Sequence, residues 1–252
     1  MKKVISLLLA AVLAIGLLAG CGSSSSSSSD DSDKLIMATN ANFPPYEYMD
    51  GDEYLGIDVE IAQAIAEKLG MELEIQNVEF GSIIGGVQSG KFDMGMAGMT
   101  VTDERKESVN FSDTYATAIQ VVIVKEDSDI QSIDDIGADT LIGVQQDTTG
   151  HIYAEDDYGT EAVTAYKNGA DAVQALITDK VNCVIIDSEP AKNFVAANEG
   201  LKILDSAYAE EEYAIAVNKD NEELLEQINN ALTELTNDGT IDEIVGKYIK
   251  AE

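Results

Sequence analysis

Tryptophan is absent from this chain, histidine occurs once, cysteine twice and proline three times in 252 residues. One histidine, His151, and two widely separated cysteines leave no His/Cys cluster for a transition metal and no disulfide framework. Basic residues are also scarce: 15 Lys and Arg stand against 47 Asp and Glu, for a formal charge of -32. So acidic a surface repels nucleic acid, and no basic stripe interleaved with aromatics offers a phosphate groove. The acids lack the alternating ligand spacing and central glycine of a calcium loop, so Glu210-Glu211-Glu212 is expected to be solvated surface. No metal or cofactor is expected. Beyond the N-terminus, no apolar run approaches the roughly 20 residues that a spanning helix needs.

The N-terminus itself reads as an export signal. Lys2 and Lys3 form the positive region, Val4 to Leu17 the apolar stretch, and Leu18-Ala19-Gly20-Cys21 a small-residue cleavage site ending in cysteine. That tetrapeptide resembles the bacterial lipobox, whose cysteine is lipidated and becomes residue one of the mature chain. Residues 1–20 are therefore read as signal, and 21–33, with seven consecutive serines and three aspartates, as a tether too polar to bury a core. The expected location is the extracytoplasmic face of the cell membrane, anchored through lipid on Cys21, with the folded body a monomer.

From Lys34 onward, short apolar runs alternate with amphipathic ones. Strands are expected at 35–38, 72–77, 118–125, 140–144, 162–166, 183–187, 201–204 and 213–217. Helices are expected at 58–69, 80–89, 170–178, 188–198, 222–235 and 241–249, with another after Thr149. Such alternation predicts α/β lobes with mostly parallel sheets. Two βα series and a helical tail suggest two lobes, 34–119 with 214–252 and 120–213, joined by crossing strands at 118–125 and 213–217. A ligand then belongs beyond the carboxyl ends of the strands, between the lobes. Cys183, inside the apolar run Val181 to Ile186, reads as a buried thiol. Gly85 to Lys91 has the spacing of a phosphate loop, but Phe92 replaces its hydroxyl residue and the run closes a helix, so that motif is rejected.

The segment Asp93 to Tyr115 concentrates the chemistry. Gly95, Ala97 and Gly98 let a ligand approach the backbone, and Met94, Met96 and Met99 pack the floor. Thr102 is a helix N-cap, with Asp103 and Glu104 in the first turn where the helix dipole favours acids. Arg105 then falls at the third helical position, where its planar fork can hold a carboxylate bidentately while Thr100 and nearby backbone N–H groups add donors.

With these residues in hand, the chain resembles the bacterial extracellular solute-binding proteins of the polar amino acid family, receptors of ABC importers. The landmarks are Asn40 to Tyr46, Leu55 to Val59, Gly90 to Asp93, Met99 to Arg105, Phe111 to Tyr115, Gly143 to Gln145 with Thr148 and Thr149, and Ile185 to Asp187. The resemblance implies a type II periplasmic-binding-protein fold, closing two lobes around one amino acid and presenting it to a permease. By the same resemblance Arg105 grips the α-carboxylate, helped by the Thr100 hydroxyl and by Thr149 of the other lobe. The backbone at Gly98, with Asp187 by direct charge pairing, takes the α-ammonium, and Phe43 stacks on the side chain. Asp187 also reads locally as a helix N-cap. Asn40, Thr148 and Ile57 complete the implied site: Asn40 stands where many relatives carry aspartate, and Ile57 where many carry a second aromatic. A non-enzymatic receptor is the leading reading. A cyclohexadienyl dehydratase-like enzyme, using His151 or Glu47 as acid, and an amino acid sensor are the alternatives.

Overall fold

The computed structural model describes residues 34–250; the signal, the serine tether and Cys21 lie outside the described residues. The chain enters through β1 (Lys34–Thr39), then an antiparallel ribbon of β2 (Asn42–Phe43), β3 (Glu47–Asp50) and β4 (Glu53–Leu55). Next come α1 (Ile57–Leu69), β5 (Glu72–Asn77), a 3-10 turn at Phe80–Ser82, α2 (Ile83–Gln88), β6 (Met94–Gly95), α3 (Asp103–Ser108) and β7 (Asn110–Phe111). In α1 the buried positions Ile57, Ile61 and Ile65 recur every four residues along one face, and Gly70 closes the helix in the left-handed conformation.

The long strand β8 (Ala116–Lys125) carries the chain into a second lobe. There β9 (Ile142–Gln145), α4 (Thr149–Tyr158), β10 (Val163–Tyr166), α5 (Gly169–Ile177), β11 (Cys183–Asp187), α6 (Ser188–Ala197) and β12 (Leu201–Ile203) follow. Then β13 (Ala209–Tyr213) and β14 (Ala216–Val217) lead back, and α7 (Glu222–Asn237) and α8 (Thr240–Tyr248) pack on α1.

One sheet has the order β5-β1-β6-β14-β7; the other is β10-β9-β11-β8-β12, with β13 also paired to β8. Two expectations change here. The sheets are mixed and not mostly parallel: β1 with β5 and β6, and β9 with β10 and β11, are parallel, whereas every pair made by β8 or β14 is antiparallel. A connection that crosses between lobes need not make the right-handed helical return that enforces parallel pairing. The run at 213–217 is also not one strand. Tyr213 ends β13 in the second sheet, and Ala216 pairs with Gly95 in the first, so the crossing happens at Ala214 and Ile215.

The acidic run joins this correction. Glu210, Glu211 and Glu212 lie within β13, opposite Ile119, Ala118 and Thr117 of β8. Period-two alternation points Glu210 and Glu212 outward and buries Glu211, continuing to the buried Tyr213. Glutamate disfavours strands, so composition hid a strand that pairing with β8 imposes.

Candidate functional site

The carboxyl ends of the strands and the N-termini of α3 and α4 converge on a cavity between the lobes. Arg105 enters it from α3. Thr102 caps that helix by accepting the Arg105 N–H at 3.1 Å, and no residue of α3 is buried, so the cap and the arginine's own contacts hold it in place. The guanidinium donates to the Thr100 carbonyl at 2.8 Å and to the Asp147 carbonyl of the second lobe at 3.2 Å, and lies 5.2 Å from the Phe80 ring centroid. Burial lowers its pKa and the charge of Glu211 opposes this, leaving a cation with unused N–H donors facing the cleft.

From the second lobe, α4 presents its N-terminus. Thr148 accepts the His151 N–H at 3.3 Å and donates its own hydroxyl to the Gln145 carbonyl at 2.8 Å. Thr149 follows, buried, with its Oγ1 3.4 Å from that of Thr100. Another part of the cavity wall is fixed by amides: Gln145 Nε2 donates to Asn40 Oδ1 at 3.0 Å, and Asn40 Nδ2 donates to the Val78 carbonyl at 2.7 Å. Phe43 stacks on Tyr46, centroids 6.0 Å apart, and packs against the cores of both lobes.

Gly98 forms the floor with φ of +51°; a Cβ there would stand 3.1 Å from Phe43 and 3.2 Å from Tyr213. Its N–H donates at 2.8 Å to Asp58, which also accepts the Tyr115 hydroxyl at 3.0 Å. Burial raises the Asp58 pKa to about 7 despite these two donors. Beside it Glu47, in the cavity wall, is pushed well above the usual carboxylate range, first by burial and then by the charge of Asp58.

The structure thus brings Arg105, Thr100, Gly98, Phe43, Asn40, Thr148 and Thr149 to one cavity. It does not bring Ile57 there. As the first residue of α1, Ile57 is turned into the first-lobe core and borders a separate groove beside α8. The second aromatic wall is Phe80, carried by the turn after β5, where the sequence pattern suggested only the start of a helix. Asp187 is likewise set back from the cavity surface. Its Oδ1 caps α6 by accepting the Glu189 N–H at 2.9 Å, and its Oδ2 accepts the hydroxyl of Tyr213, the residue that does line the cavity, at 3.1 Å. Burial raises the Asp187 pKa to about 7. Asp187 thus meets the cavity through Tyr213.

Thr100 differs from expectation in direction. Its Oγ1 lies 3.1 Å from Glu211 Oε2. With its proton given to Glu211, Thr100 leaves its oxygen, not its hydrogen, toward the cavity. Gln120, also in the wall, donates to the same Glu211 oxygen at 2.9 Å. Gln120, Tyr213 and Glu211 were not legible in the sequence, and the alternation running from Glu211 to Tyr213 is the one signal that could have exposed them. His151 faces away from the cavity wall: its Nδ1 accepts the Asp147 N–H at 3.2 Å and its Nε2 lies 3.3 Å from Glu155.

Against known proteins, the family described as bacterial extracellular solute-binding proteins, family 3, matches residues 35–251. The arginine-binding extracellular protein ArtP of Bacillus subtilis (strain 168) is 38% identical, with 100% of both chains covered. The ABC transporter glutamine-binding protein GlnH of the same organism is 30% identical, covering 100% of this chain and 99% of that one. Among solved structures, an ancestral arginine-binding protein bound to glutamine superposes with a TM-score of 0.82 at 38% identity, covering 87% of this chain and 99% of that one.

Proposed function

This chain belongs to the bacterial extracellular solute-binding proteins, family 3, and from that premise we propose that its cavity takes an L-amino acid whose side chain ends in planar N–H donors, as arginine does. It is an extracellular amino acid-binding component of an ABC importer and not an enzyme. The observation that carries the ligand reading is the lining of the cavity: one cation, Arg105, lying against the Phe80 ring, together with the paired amides of Asn40 and Gln145 and the Phe43 ring. Arg105 takes the α-carboxylate, with the N-terminus of α4 at Thr148 and Thr149 adding its dipole. The Thr100 oxygen and the Gly98 carbonyl take the α-ammonium, with Asp187 behind Tyr213 supplying negative potential. The Phe43 ring stacks on a guanidinium or amide plane. The names of the relatives, arginine-binding and glutamine-binding, support the same side-chain class.

Delivery to a permease follows from closure, since only the closed form brings both lobes into one docking surface. The lipobox-like Leu18-Ala19-Gly20-Cys21 supports anchoring of the chain through lipid on Cys21. Titration calorimetry with L-arginine and L-glutamine tests the ligand reading. Binding is expected, and Arg105→Ala is expected to weaken it by about 3–5 kcal/mol, because the ligand carboxylate is then buried unpaired. Absence of binding by any standard amino acid, or an unchanged affinity in Arg105→Ala, would overturn it.

A further inference from the structure

The buried carboxylate of Glu211 is unused by the reading above, and it sits at a junction. Its Oε2 receives Thr100 Oγ1 at 3.1 Å and Gln120 Nε2 at 2.9 Å, while its Oε1 is buried with no hydrogen-bond partner. Because the Thr100 proton is committed to Glu211, the 3.4 Å contact between Thr100 and Thr149 can run only one way, with Thr149 donating. The result is a directed chain, Thr149 to Thr100 to Glu211, that starts on α4, crosses the cleft and ends on a charge. Gln120 is fixed by the same anion, with its amide nitrogen toward Glu211 and its Oε1 over Gly150 at the start of α4. A neutral group in place of Glu211 could donate as well as accept, and the chain would lose its direction.

We propose that Glu211 is a positioning residue for ligand recognition: it fixes the polarity of the hydrogen-bond chain across the cleft so that Thr100 presents an acceptor oxygen, which selects a ligand carrying a positive group at that point. Glu211 also faces Arg105, and Tyr153 of α4 is pushed up to about 12 by burial and by the Glu211 charge beside it, so the carboxylate's field reaches the binding cation and both lobes. Its two strand neighbours, Glu210 and Glu212, point to solvent and contribute little to this field.

The inference rests on the amino acid reading, and the test separates the two. The wild-type chain, Glu211→Gln and Glu211→Asp are titrated calorimetrically with L-arginine and with 5-guanidinopentanoic acid, which lacks only the α-ammonium. Wild type is expected to prefer L-arginine by tenfold or more. Glu211→Gln, isosteric but able to donate, is expected to lose roughly ten- to hundredfold in L-arginine affinity while binding the des-amino compound within about threefold of wild type, so the preference collapses. Glu211→Asp is expected to restore most of the preference. If Glu211→Gln weakens both compounds equally, or lowers only the melting temperature, the residue is merely structural and the inference falls. Failure of the wild type to bind L-arginine would instead overturn the ligand reading, and this inference with it.

Discussion

At the scale of single residues, two carboxyl groups meet inside the first lobe. Glu47 and Asp58 lie close enough for their charges to interact, and Glu47 Oε2 and Asp58 Oδ1 are buried with no hydrogen-bond partner. One shared proton satisfies both atoms, and two negative charges at this depth would satisfy neither. Asp58 rises from 3.8 to about 7, so the folded state keeps a proton that the unfolded chain releases over that range. The stability this contributes is fully present below about pH 4 and is lost as pH rises toward about 7. Asp58→Asn replaces the shared proton with a permanent N–H donor. Urea unfolding from pH 4 to 7 is expected to show wild type losing up to about 4 kcal/mol relative to the variant. Parallel curves for the two proteins would contradict the shared proton. None of this was legible in the sequence, where Asp58 read only as the start of a helix and Glu47 as an acid near a loop.

At the scale of elements, α3 shows how a short, exposed helix can hold a functional group steady. It spans Asp103–Ser108 and buries nothing, so the Thr102 cap is its main local restraint. Thr102→Ala is expected to cost about 1 kcal/mol in global stability. It is also expected to weaken ligand binding, because the Arg105 N–H that the cap receives belongs to the binding residue itself. Chemical denaturation and calorimetry on one preparation check both, and a stability loss with intact affinity would show that Arg105 is held by other means. This cap was readable from the order Thr-Asp-Glu-Arg, since caps depend on neighbours in sequence. The strand β13 was not, because its stability comes from β8, about 90 residues away, and overrides the poor propensity of three glutamates.

At the scale of the molecule, the two lobes touch directly. Asn40 meets Gln145, Arg105 reaches the Asp147 carbonyl, and Lys167 lies 3.6 Å from Glu79. At this junction a Cβ on Gly81 would run into the exposed Asp147 side chain, its carboxylate first. Gly81→Val is therefore expected to prop the cleft open without unfolding either lobe. Affinity should fall tenfold or more, the ligand-dependent contraction in small-angle scattering should shrink, and the melting temperature without ligand should hold. Adding Asp147→Ala removes the obstructing side chain and should recover much of the affinity. If the double variant binds no better than Gly81→Val alone, the clash is not what limits closure.

Hydrophobic period, caps and glycine positions are local signals, and they were enough to read the α/β two-lobe fold class, the capped helix that carries Arg105, and the family. Which groups line the cavity depends instead on packing between distant segments. That packing set Asp187 behind Tyr213, exchanged Ile57 for Phe80, and turned Glu211 inward against Thr100 and Gln120. Those choices depend on strand register and on which way a hydroxyl proton points. Both are fixed by partners distant in the chain, which no local pattern encodes.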